Sequence, residues 1–177
     1  MIYILRHGET DYNKEGRLQG QLDIDLNQNG IMQAEALKKS LSSLSFDKIY
    51  SSDLIRAKRT AEIIAGTRTI ILDKRLREID LGSWQGRTYD DLRANDELYN
   101  IFYSNPDLAN NGDHEDYCDV IARMESFFNS IDKDEDAVVV SHGFIIFHYF
   151  KKYFSDFRPI ENCEIISYDI KNNIISR

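Results

Sequence analysis

Short apolar runs alternate with longer stretches whose apolar positions recur every third or fourth residue. Ile2–Leu5 reads as a buried strand. Ile31, Ala34, Leu37, Leu41 and Leu44 then fall on one face of a helix, with Asn27 placed to cap its start. Phe46–Tyr50 predicts a second strand. Leu54, Ala57, Ala61 and Ile64 repeat the helical spacing, with Ser51 or Ser52 available as cap and Gly66 as stop. Ile70–Leu72 predicts a short third strand, and Ala137–Val140 a strongly apolar fourth. Between these two lies a helix over about 114–131, carrying Tyr117, Ile121, Met124 and Phe128. Phe144–Tyr153 predicts another helix. Ile165–Ile170 and Ile174–Ile175, joined by Lys-Asn-Asn, read as a closing hairpin.

This alternation predicts an α/β three-layer sandwich: a mainly parallel central sheet with helices on both faces. Residues 82–112 break the pattern. They hold three of the nine glycines, Pro106, and the aromatics Trp84, Tyr89, Tyr99, Phe102 and Tyr103. They predict an irregular insertion with one or two short helices, the start of a small helical lid over about 82–131 on a single domain of residues 1–177. The lid's aromatics are expected mainly to fill its own small core, with contact to an apolar or ring-bearing ligand as the alternative.

With 177 residues, 42% apolar and 29% charged, the chain has the size and make-up of one globular domain. No apolar run is long enough for a membrane span, and the N-terminus lacks the basic lead-in of a secretory signal. A cytoplasmic protein is expected. Cys118 and Cys163 lack metal or framework spacing and are expected to be small core hydrophobes. The net charge of −8 is uneven: +2 over residues 1–75, −11 over 76–136, and +1 over 137–177. Such an acidic middle disfavours nucleic acid and acidic membranes as partners. Any anion handled here is held by a few placed side chains. No oligomeric state is specified by the pattern.

In parallel sheets the site lies beyond the carboxyl ends of the strands. Arg6-His7-Gly8-Glu9-Thr10 follows the first strand, Ser51-Ser52-Asp53-Leu54-Ile55-Arg56 the second, and Ser141-His142-Gly143 the fourth; Leu76-Arg77-Glu78-Ile79-Asp80-Leu81-Gly82 comes several residues past the third. Two arginines, two histidines and a glutamate thus converge on one edge. Arg56 falls in the first turn of its helix, where the dipole disfavours a cation by roughly 0.3–1 kcal/mol. Asp53 would offset that cost, and so would a bound anion.

Two guanidiniums match the oxygens of a phosphoryl group. A neutral imidazole beside them is a competent nucleophile, and a protonated carboxyl can serve a departing alkoxide. The set supports phosphoryl transfer to histidine and hydrolysis, with the arginines supplying charge stabilisation. No metal or cofactor is expected.

Arg6-His7-Gly8-Glu9-Thr10 with Asn13 resembles the signature of the histidine phosphatase superfamily, in its phosphoglycerate-mutase-like branch. The likeness runs through Gln19-Gly20, Asp23-Ile-Asp-Leu-Asn27-x-x-Gly30, Ser52-Asp-Leu-Ile-Arg56-Ala-x-x-Thr60-Ala61, Leu76-Arg-Glu78 to Gly86, and Val140-Ser-His142-Gly143. Among its members the chain is similar to small phosphatases of the α-ribazole phosphatase type. The resemblance implies His7 as the phosphohistidine, Glu78 as general acid and base, and Arg6, Arg56, His142 and Asn13 as the phosphate grip. It places Gln19, Gly20 and Gly143 near substrate. The chain departs from the family at Asp25, where many relatives have Pro, and at Asn110–Glu115, where they often read Gly-Gly-Glu-Ser.

Mutases of the family are longer and carry several basic lid residues, whereas residues 82–136 hold only Arg87, Arg93, Arg123 and Lys133. Hydrolysis of a small-molecule phosphate monoester is therefore expected. Mutase-type phosphoryl transfer and a non-enzymatic phospho-ligand module are the alternatives. Arg123 lies one residue too close to Cys118 for a cysteine-phosphatase loop. Asp23-Ile-Asp25 lacks the preceding strand of a magnesium-dependent phosphatase, and no G-x-x-x-x-G-K-[ST] loop is present. His114 is expected at the surface and His148 on a packing face.

Overall fold

The computed structural model describes residues 1–109 and 112–177. Its sheet contains β1 (Ile2–Arg6), β2 (Lys48–Ser51), β3 (Thr69–Leu72), β4 (Ala137–Ser141), β5 (Ile165–Asp169) and β6 (Ile174–Ser176). Their order is β3-β2-β4-β1-β5-β6. The first four run parallel; β5 pairs antiparallel to β1, and β6 antiparallel to β5. Helices α1 (Asp11–Lys14), α2 (Gln28–Leu41), α3 (Ile55–Ala65), α4 (Tyr89–Asn95), α5 (Glu97–Ser104), α6 (Tyr117–Ser130) and α7 (Gly143–Tyr153) complete the described residues, with single 3-10 turns at Lys74–Leu76, Gly82–Trp84 and Pro106–Leu108. The expected three-layer α/β sandwich is the observed fold.

The layers follow from the alternation of side chains along strands. In β4, Ala137 and Val139 join Ile2 and Ile4 against Val120, Met124 and Phe127 of α6 and Ile146 and Phe150 of α7. Val138 and Val140 face the other way, with Leu5 and Ile49, onto Leu37 and Leu41 of α2 and Ala57, Ala61 and Ile64 of α3. Every residue of β4 is buried, as an apolar run covered on both faces requires. Each buried Val contributes ~1.5–3 kcal/mol relative to exposure.

Asn27 caps α2 as expected, its side chain accepting from Gly30 N at 2.9 Å. Helix α3 departs from expectation, because its N-cap is Leu54, which offers no side-chain bond. Asp23 supplies it instead, accepting from Ile55 N at 2.7 Å, while Ser52 Oγ accepts from Leu54 N at 3.3 Å. Gly66 ends α3 at φ +61°, a conformation open to glycine. Helix α6 starts at Tyr117, three residues past the expected 114, where the Asp116 side chain accepts from Cys118 N. The four-residue α1, with its Thr10/Asn13 capping box, has no apolar periodicity and was not expected.

Two assignments are corrected. Cys118 is exposed in the opening turn of α6 and so lies outside the core, whereas Cys163, half-buried at φ +57° in the turn before β5, packs against the core as expected. His114 is buried, its ring stacked on Trp84 at 4.9 Å and against Phe102 at 5.3 Å. Its polar neighbours in sequence hid a ring that fills a gap among aromatics. The expectation for Asn110 and Asn111 lies outside the described residues.

Candidate active site

Because β1, β2 and β4 are parallel neighbours, their carboxyl ends share one edge. There Arg6, His7, Asn13, Gln19, Gly20, Arg56, Glu78 and Gly143 line one cavity of about 440 Å³. His142, the remaining expected site residue, is fully buried behind it, its ring centroid 5.1 Å from that of His7.

His7 follows β1 and is fixed by its neighbours. Its backbone N donates to Ser141 O at 3.1 Å, and its carbonyl accepts from Asn162 Nδ2 at 2.8 Å. Its Nδ1 lies 2.7 Å from Gly8 O. A carbonyl only accepts, so Nδ1 carries the proton and Nε2 keeps its lone pair. The Nε of Arg56 donates to that Nε2 at 3.3 Å. Burial, then Arg56, then Arg6 hold His7 well below its ordinary pKa, which keeps the ring neutral at pH 7.

Arg56 is 1% exposed, and each arm of its guanidinium is placed. Nη1 donates to Leu22 O and Nη2 to Gly20 O, both at 2.7 Å. Burial lowers its pKa to about 10, opposed by Glu78 and Asp23, so it remains a cation at neutral pH. Asp23 at the α3 start, rather than Asp53, offsets the cation in the first turn. The carboxylate of Asp53 is taken by Arg77, through 2.6 Å bonds to Nε and Nη2. Arg6 donates from Nη1 to Ile160 O at 3.1 Å, and its buried Nε has no hydrogen-bond partner. A Cβ on Gly143 would lie 3.1 Å from that Nε, so glycine here makes room for the guanidinium.

Glu78 is held at the start of α7, where the N-cap His142 offers no side-chain bond. Its Oε2 accepts from Phe144 N, and its Oε1 from Ile145 N and Ile79 N, each at 3.1 Å. Those donors and Arg56 favour the carboxylate. Burial outweighs them and raises the pKa above its ordinary value. His142 shares a 2.8 Å hydrogen bond between Nε2 and Ser52 Oγ, while its buried Nδ1 has no partner; burial, first, and then Arg56 lower its pKa well below the ordinary value. In Asn13, Oδ1 accepts from Thr10 N at 3.1 Å. Gln19 Oε1 accepts from Thr10 Oγ1 at 3.0 Å.

A family model described as histidine phosphatase superfamily (branch 1) matches residues 2–173. The chain belongs to that superfamily. It is 38% identical over 154 residues to phosphoglycerate mutase-like protein 4 of Arabidopsis thaliana, covering 82% of this chain and 67% of that protein. It spans about half the length of the curated GpmB proteins of Salmonella that it also matches. Its fold is similar to that of YhfR from Bacillus stearothermophilus, with TM-score 0.84, 31% identity, and coverage of 99% of this chain and 93% of that one. A putative alpha-ribazole-5'-P phosphatase of Escherichia coli shares the fold at TM-score 0.86 and 24% identity, covering 99% of this chain and 92% of that one.

Several side chains at the site were not singled out for it from sequence. Ser52 positions His142, and Thr60 Oγ1 accepts from Gly8 N at 3.0 Å. Asn162 precedes β5, which is antiparallel to β1, so its segment enters the sheet at the edge that β1 leaves. Reading only the exits of parallel strands passes over it. Arg123, on α6, lies 45 residues from Glu78 in sequence and donates to Arg75 O at 2.7 Å and Glu78 O at 3.2 Å. The charge run around it gave no signal of that role.

Proposed function

We propose that this chain is a metal-independent phosphatase that hydrolyses a small-molecule phosphate monoester through a phosphohistidine on His7. In the first step His7 Nε2 attacks phosphorus and the bond to the alcohol oxygen breaks. Glu78 delivers its proton to that oxygen. In the second step Glu78 takes a proton from water, whose oxygen attacks phosphorus, and the phosphorus–nitrogen bond breaks to release inorganic phosphate. Arg6 and Arg56 carry the charge of the transferring group. His142 contributes Nδ1, its buried ring nitrogen without a hydrogen-bond partner, as a further donor, in the tautomer whose Nε2 accepts from Ser52 Oγ. Asn13 contributes its Nδ2, and Gln19 and Gly20 border the substrate. The segment from 82 to 131 serves as the lid of a single domain.

What supports this reading above all is the state of His7: neutral, unprotonated at Nε2, and lining the cavity beside two guanidiniums. Hydrolysis is favoured over transfer to a second anionic substrate by the charge of the lid. Arg87 pairs with Asp91 and Asp96, and Arg123 with Glu115, leaving these cations already engaged. The test is an alkaline-quench experiment with a ³²P-labelled ester. Wild type is expected to carry acid-labile, base-stable label during turnover, and His7→Ala to bind the ester with neither label nor turnover. Turnover without label eliminates the phosphohistidine; no turnover on a broad ester panel leaves a phospho-ligand-binding module.

A further inference from the structure

The cavity has two halves of different chemistry. The inner half carries Arg6, His7, Arg56 and Glu78. The outer half is walled by rings: Tyr89, Tyr99, Phe102 and Tyr103 from α4 and α5, and Phe144 and Phe147 from α7. The two walls join where Phe102 stacks on Phe144, ring centroids 5.6 Å apart and planes within 11°. Phe144 in turn contacts His148 at 4.0 Å, and His148 contacts Phe147 at 4.9 Å. Rings already packed on one another form a wall that needs little ordering on binding, so apolar contact with it is retained as affinity.

A second anionic group would find poor partners in this outer half. Arg17, at the cavity edge, is 40% exposed and pairs with Glu15 at 2.6 Å while donating to Gly86 O. Arg93 stacks on Tyr103 at 5.0 Å and does not line the cavity. His148 is held neutral by burial, with its pKa lowered to about 4.

Resting on the phosphatase reading, we propose that the alcohol part of the preferred substrate is an aryl or arylalkyl group bearing no second anion. Such a group stands among the rings while its phosphate meets His7, and its ester oxygen passes Glu78 on the way between the two halves.

The test compares kcat/KM of the purified protein for benzyl phosphate, ethyl phosphate, glycerol 3-phosphate and 3-phosphoglycerate. All four release alkoxides of similar basicity, so the demand on Glu78 is matched and the comparison reports the outer half. Benzyl phosphate is expected to exceed glycerol 3-phosphate by ~10-fold or more, since single methylenes in apolar pockets change kcat/KM by ~10–200-fold. 3-Phosphoglycerate is expected to be poorest. Tyr103→Ala and Phe147→Ala, at positions that are exposed and partly exposed, are each expected to lower the benzyl-to-ethyl ratio several-fold. Equal values for the four esters, or a lead for 3-phosphoglycerate, overturns the inference while the phosphatase reading stands. No hydrolysis of any ester, p-nitrophenyl phosphate included, removes both.

Discussion

The Nε of Arg56 meets Nε2 of His7 at 3.3 Å, so the buried cation faces the one ring nitrogen that carries no proton. The pair sets the pH behaviour of the site. Burial, Arg56 and Arg6 push His7 well below 6.5, whereas burial pushes Glu78 above 4.5. The reactive form needs His7 neutral and Glu78 protonated. Its population falls at low pH as His7 takes a proton, and falls again as rising pH strips Glu78. The kcat/KM optimum is therefore expected on the acid side of pH 7. Glu78→Gln, measured with the same ester so that substrate ionisation cancels, is expected to lose the alkaline limb. With chemistry rate-limiting, a wild-type profile with no alkaline fall up to about pH 9 contradicts the acid role of Glu78.

The same carboxyl gives a prediction about leaving groups. An alkoxide departs only when protonated, but p-nitrophenolate departs unaided. Glu78→Gln is expected to lower kcat for benzyl phosphate by ~10²–10⁴-fold, the usual scale of general acid catalysis. The loss on p-nitrophenyl phosphate is expected to be far smaller. Equal losses on the two esters remove Glu78 from the acid role.

Arg123 extends this prediction beyond the cavity. Its guanidinium binds Glu115 at 2.7 and 3.1 Å and donates to the carbonyls of Arg75, Arg77 and Glu78. Glu115 in turn accepts from Asp80 N at 3.1 Å. The pair thus clamps the backbone on either side of Glu78, as a positioning residue with its counter-ion. Lysine offers a point charge in place of the planar fork and cannot hold all these oxygens. Arg123→Lys is expected to lower kcat on benzyl phosphate ~10-fold and on p-nitrophenyl phosphate less than ~3-fold, a part of the general-acid contribution. A uniform loss on both esters marks Arg123 as structural only.

The relation between sequence and site has a physical pattern. Strand-exit residues such as His7 and His142 were legible because a parallel sheet gathers its carboxyl ends, and the apolar runs disclose which strands those are. Arg56 was legible as a cation at a helix start, although its counter-charges come from Glu78 and Asp23 and not from Asp53. Positions that act through polar bonds between distant segments were not legible. Asn162 and Arg123 touch the site only because antiparallel β5 and the α6 face bring them there, and no local spacing encodes that approach. His114 was misplaced for a related reason: hydropathy assigns imidazole to the surface, whereas aromatic packing on Trp84 takes it inside.

Close backbone approach beside His7 supplies a last test. A Cβ on Gly8 would lie 2.6 Å from Gly30 O, and one on Gly30 would overlap the carbonyl and amide of Glu9. Gly30 lies in the first turn of α2, where alanine would ordinarily gain roughly 0.5–1 kcal/mol over glycine. Overlap with backbone, which cannot rotate aside, opposes this with the ~1–3 kcal/mol of an overpacked contact and is expected to win. Gly30→Ala should therefore lower Tm by a few degrees, at ~2–4 °C per kcal/mol for a chain of this size. It should also displace the Gly8–Glu9 segment that orients His7, lowering kcat on p-nitrophenyl phosphate, an ester indifferent to Glu78. Unchanged or raised Tm, read by circular dichroism, would show that the two backbones part at no cost and that helix propensity governs the position.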